Sequence, residues 1–81
     1  MDPVVQPTEG EFRVRTEFNP AKDGVVDQIK QKSAELINLI NDFQLTKELT
    51  ARQSQSFGRL KSLAMTAVEE ASMWAVKAAT I

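Results

Sequence analysis

The sequence predicts an all-α fold: an antiparallel two-helix hairpin with an N-terminal arm, assembled into a compact homo-oligomer. Three observations predict it. Residues 25–43 carry apolar side chains at helical spacing. Residues 57–78 do so again, in steps of 3, 4, 3, 4, 3 and 4. Between them "LTKELT" interrupts both patterns, and two helices joined by a short loop lie antiparallel.

Residues 1–19 form the arm, read as extended or partly ordered. They hold two of the three prolines and show no helical period. Within them "FRVRTEF" alternates Phe12, Val14 and Thr16 with charged residues, as a short strand would. No second strand is available to pair with it, which favours an arm that orders on assembly.

The hairpin takes residues 20–81, with helices over about 20–44 and 47–79. Asn19-Pro20 suits a helix start, with Asn as N-cap and Pro at the first helical position. Asp23 is a second candidate cap, because Gly24 inside a first turn is costly. Val25, Val26, Ile29, Leu36, Ile40 and Phe43 then share one face, with Ile37 and Leu39 at its edges. Thr50-Ala51-Arg52-Gln53 has capping-box spacing, so the second helix starts there or one turn earlier, at Thr46. Its stripe is Phe57, Leu60, Ala64, Ala67, Ala71, Trp74 and Ala78, a heptad-like rhythm whose alanines allow close backbone approach.

Oligomerisation follows from size. A chain of 81 residues buries too little surface to be comfortably stable alone. Small proteins compensate with disulfides, a metal or partner subunits. Cysteine and histidine are both absent, which removes disulfides and argues against zinc. Leu63, Val68, Ile37 and Leu39 also widen the apolar arc beyond what one partner helix covers. A symmetric homo-oligomer with core between its copies is therefore expected.

Ten basic and eleven acidic residues give a net charge of -1. Binding of a DNA or RNA polymer, or of an anionic membrane, calls for a basic excess that is missing here. No apolar run approaches the roughly 20 residues of a membrane span. "MDPVVQPTEGE" lacks a signal-peptide core, and a soluble cytoplasmic protein is expected. Ser-His and Cys-His catalysis cannot be built from this composition. Adjacent Glu69 and Glu70 diverge by about 100° on a helix and do not face each other. Gly10, Gly24 and Gly58 stand alone rather than forming a phosphate loop. The expectation is a protein that is not an enzyme and uses no metal or cofactor.

Polar residues beside the apolar seams are the informative exceptions. Lys32 and Ser33 fall where the first helix needs apolar residues, with Lys30 on the flank. A lysine there either snorkels to water or holds an anion where subunits meet. Arg59 and Thr66 are seven residues apart, on one line of the second helix about 100–120° from its stripe. They read either as ordinary surface residues or as a guanidinium fork and a hydroxyl suited to phosphate. Phe18 belongs to no stripe and is the aromatic most available to stack on a ligand; Phe12 is a weaker candidate.

"GRLKSLAMTAVEEASMWAVKAAT" resembles the signature helix of the phage anti-CBASS cyclic-oligonucleotide sponges. The shared pattern falls on Arg59, Lys61 to Ala64, Met65, Thr66, Glu69, Glu70, Ala71 and Met73 to Ala75. The aromatic-X-Pro at Phe18 to Pro20, Ile29-Lys30 and "LINLI" extend the likeness to the first helix. The resemblance covers about residues 12–80. It implies a hexamer of helical hairpins in the cytoplasm of the infected bacterial host. Such a sponge is not catalytic. It sequesters cyclic dinucleotides such as 3',3'-cyclic GMP-AMP and, in many members, cyclic trinucleotides such as cyclic tri-AMP. Bacterial immune signalling is thereby blocked.

By position, the resemblance implies a dinucleotide pocket of Phe18, Asn19, Pro20, Lys30, Lys32 and Ser33. Phe18 would stack on a base and Lys30 would meet a phosphate. Asn19 stands where relatives often carry His. A separate trinucleotide pocket would use Arg59 for phosphate and Thr66 for a hydrogen bond. A structural or adaptor hairpin that binds a protein partner is the competing expectation.

Overall fold

The computed structural model describes residues 6–16 and 24–81. The described secondary structure is entirely helical, in the order α1 (Glu9–Val14), α2 (Gly24–Asp42) and α3 (Ala51–Ala79). The last two form the expected hairpin. Their bounds are tighter than predicted at the loop, which runs from Phe43 to Thr50. Of the two possible starts for the second helix, Thr50 is the one used. Its hydroxyl accepts from the Gln53 amide at 3.1 Å, and the Gln53 side chain accepts from the Thr50 amide at 3.0 Å. Both orphan donors are thus satisfied, and nothing is gained by winding back to Thr46. The proposed start at Asn19-Pro20 lies outside the described residues.

Helix α1 is the main departure. Where an extended or partly ordered arm was expected, residues 9–14 are helical. A capping box starts this helix too: the Glu11 amide donates to the Thr8 hydroxyl at 3.2 Å, and the Thr8 amide donates to the Glu11 carboxylate at 2.9 Å. The Thr8 amide, and after it the Thr8 hydroxyl, hold the Glu11 carboxyl below the ordinary carboxylate range. A six-residue helix is not stable by itself. Tertiary contact supplies the rest. Gly10 lies so close to α2 that a Cβ there would overlap the Ala34 carbonyl. Its amide donates to the Asn38 side chain at 2.7 Å. Arg15 ends the helix in the left-handed region at φ 54°.

The core is small. Ile37 is fully buried, with Val14, Ala34 and Met65 around it and half-buried Ile40 and Val68 packed against the cluster. This corrects the predicted face of α2. The buried positions are Val26, Lys30, Ala34 and Ile37, while Val25 and Leu36 are exposed. Expressed at 100° per residue, the inward arc is turned by about 100° from the one read off the sequence. The cause is α1, which covers the side of α2 that bears Ala34 and Asn38. Ile37 moves from edge to centre.

On α3, the inward positions are Met65, Val68 and Ser72, with half-buried Lys61 and Val76 extending the line. The heptad-like stripe lies on a different face. Leu60 is 62% exposed and Trp74 61%, and Ala67, Ala71 and Ala78 are exposed as well. Within one chain, Trp74 is therefore not a core residue.

Candidate functional site

Each helix junction uses one lysine from the next helix. Lys30 Nζ, on α2, donates to the Arg15 carbonyl at 3.0 Å, at the end of α1. Lys61 Nζ, on α3, donates to the Asn41 and Phe43 carbonyls at 2.9 Å each, at the end of α2. Last-turn carbonyls lack intrahelical donors and carry partial negative charge, so an ammonium satisfies both needs. Phe43 and Phe57 meet edge-on at 5.4 Å, and Lys61 Nζ sits 4.8 and 5.0 Å from their ring centres.

Lys30 is 6% exposed. Burial, with some repulsion from Arg15, pushes its ammonium below the ordinary lysine range, and Asp27 partly offsets this. Lys32 is exposed and Ser33 half-buried. The lysine beside the apolar seam is therefore Lys30, and Lys32 points to solvent. The turned face of α2 decides between the two lysines. Phe18, Asn19 and Pro20 lie outside the described residues. Lys30 reaches a carbonyl only three residues along the chain from Phe18.

The Arg59 and Thr66 line lies on the far flank of α3 from α2. Both residues are exposed, two helical turns apart. Arg59 makes no hydrogen bond or ion pair among the described residues. Thr66 is engaged: its hydroxyl accepts from Arg13 Nη1 at 3.3 Å. Arg13 also meets the Glu9 carboxylate at 2.7 Å and the Glu69 carboxylate at 3.5 Å. It thereby ties α1 to α3 beside the threonine. Sequence reasoning missed Arg13. Its signal was the four-residue spacing to Glu9, which means something only once residues 9–14 are known to be helical.

Glu69 and Glu70 do separate work. The first binds Arg13, and the second accepts from Trp74 Nε1 at 3.3 Å. Their carboxylates are engaged by different residues. Among the described residues, no group of three or more acidic, His or Cys side chains could hold a metal. No helix there is long and apolar enough to cross a membrane.

The arrangement offers exposed cations and a hydroxyl on a helix flank, beside an uncovered apolar face, with no group of three or more His, Cys or acidic side chains able to hold a metal among the described residues. Such a surface can bind a phosphate-bearing ligand by charge and hydrogen bonding. No curated protein and no solved structure matches the chain. The family model described as the Acb2/Tad1 hairpin domain matches residues 9–80, a span that takes in all three helices and every flank just described. The chain therefore belongs to the Acb2/Tad1 hairpin family, the anti-CBASS sponges that its second long helix resembles.

Proposed function

We propose that this chain is a phage-encoded, non-catalytic sponge acting in the cytoplasm of the infected host. It sequesters cyclic dinucleotides, and also cyclic trinucleotides, in pockets between the copies of a homohexamer. The observation that carries the reading is the family match over residues 9–80. The chemistry of the flanks supports it. A nearly neutral protein can hold anionic rings if its few cations are concentrated where subunits meet. Arg59 is a guanidinium with no internal commitment, one line from the Thr66 hydroxyl, and fits the trinucleotide role. Lys30, held at the end of α1 near Phe18 in sequence, fits the dinucleotide role. Lys32 and Ser33 add polar contacts at the rim, with Asn19 and Pro20 completing the site.

Calorimetry against a panel of cyclic dinucleotides and trinucleotides tests this reading. Binding is expected, and heating the complex should return the ligand chemically intact. Linear fragments in the supernatant would instead identify a phosphodiesterase. The exposed α3 face favours one competing reading, an adaptor that binds a protein helix. A stoichiometric protein partner from infected cells, together with no nucleotide binding, would select it.

A further inference from the structure

Arg13 stands where α1 meets the polar flank of α3. Its Nη1 donates to two acceptors there, the Thr66 hydroxyl at 3.3 Å and the Glu69 carboxylate at 3.5 Å. Its Nε donates to the Glu9 carboxylate on its own helix at 2.7 Å. One cation thus meets two carboxylates, and the cluster has no positive excess with which to draw an anion. What Arg13 changes is the direction of the threonine's hydrogen bond.

A threonine hydroxyl has one proton to give and two lone pairs with which to accept. Within a helix that proton often goes back to the carbonyl four residues earlier. Thr80 does this, donating to the Val76 carbonyl at 2.8 Å. Thr66 does not: among the described residues its hydroxyl only accepts. The nearest rival for its proton is Glu69, three residues on and on the same side of α3. A bare carboxylate there would take that proton and would also repel a phosphate. Arg13 blocks both, because one nitrogen holds Glu69 and fills a lone pair of Thr66. The threonine proton is turned away from the guanidinium, and Thr66 is exposed, so it is free to meet a ligand.

We infer that Arg13 is a positioning residue for the site on this flank: it keeps Thr66 a donor, available to an acceptor atom of the ligand. This role rests on the sponge reading, in which Arg59 and Thr66 share the trinucleotide. The two arginines then do different work. Arg59, with no ion pair among the described residues, supplies charge. Arg13, already neutralised, supplies orientation, and the hydroxyl is set before the ligand arrives.

Calorimetry with cyclic tri-AMP on the parent, Arg13→Gln, Thr66→Val and the double variant tests this role. Each single substitution should weaken binding by about 3–10-fold, the worth of one hydrogen bond. The double variant should lose no more than Thr66→Val alone, because Arg13 acts through the hydroxyl. Adding Glu69→Gln to Arg13→Gln should restore most of the affinity, since an amide competes less for the proton and repels no phosphate. Circular dichroism matching the parent confirms that each variant is folded. If Arg13 merely seats α1, the losses multiply in the double variant and Glu69→Gln restores nothing; either result overturns the inference. No binding by the parent chain would sink the sponge reading and this role with it. Binding by the parent with multiplied losses would sink this role alone.

Discussion

The two faces of α3 obey different rules. The inward face is irregular in chemistry: Lys61, Met65, Val68 and Ser72 meet a helix end, a core and a neighbouring helix in turn. The outward face is regular, with small residues in the middle and bulky ones at the ends. The regular face is the exposed one. A face that must fit three different neighbours of its own chain cannot keep one repeat. A face built for another helix can. The clearest periodicity in this sequence therefore lies on the face that the hairpin leaves uncovered, and the hairpin is held by the quieter face.

Substitutions on the two faces should separate folding from assembly. Ile37→Ala empties the centre of the inward core and should cost about 2–5 kcal/mol. It should lower Tm at every protein concentration. Trp74→Ala should cost little within a chain, because that ring is largely exposed. Its loss should instead remove about 2 kcal/mol or more per interface, read as loss of the concentration dependence of Tm. If Trp74→Ala destabilised the chain equally at all concentrations, the ring would be an internal prop, and the distinction between faces would collapse.

Ligand binding sharpens the same contrast. Arg59→Gln removes a charge-assisted contact worth about 1.5–3 kcal/mol. Cyclic trinucleotide affinity should then fall by about 10–100-fold, with the oligomer intact by light scattering. Equal losses for cyclic dinucleotides would argue against separate pockets.

Much of this was legible in the sequence, and the failures share one source. The hairpin and the Thr50 capping box were legible because each is a local pattern with several repeats or a fixed spacing; the α3 stripe was legible as a pattern, but it is not the face that packs on α2. Helix α1 carries its own capping box at Thr8 and Glu11, but six residues give no measurable period, and a glycine such as Gly10 is unfavourable inside a helix. That glycine is there because α1 must touch the α2 backbone, a tertiary reason invisible locally. Missing α1 then turned the predicted face of α2 and left open which of Lys30 and Lys32 faces inward. The pairing of copies cannot appear in one chain at all. Gly10→Ala probes this hidden element. It should push α1 off Ala34 and destabilise by about 1–3 kcal/mol, with the loss of α1 protection visible by hydrogen exchange. Unchanged protection would show that α1 can shift without losing its seat.

Lys30 should give the smallest change in stability and the most diagnostic one. It sits on the inward side yet resembles the outward residues in chemistry, a cation among apolar groups. Replacing a buried charge by an apolar chain of similar volume is often neutral or slightly stabilising. Lys30→Met should therefore leave Tm within a degree or two at neutral pH, despite the lost bond to Arg15. The pH dependence follows from linkage. An unfolded lysine keeps the ordinary value of 10.5, and the folded one is lower. Between those two values the unfolded chain holds more protons, so stability rises with pH through that window. The neutral amine can still donate to the Arg15 carbonyl, so the bond survives while the cost of burying charge disappears. Wild type should thus gain stability relative to Lys30→Met as pH rises toward 10.5, measured by denaturant midpoints at matched ionic strength. A constant difference across that range would mean that the ammonium is already well solvated where it lies.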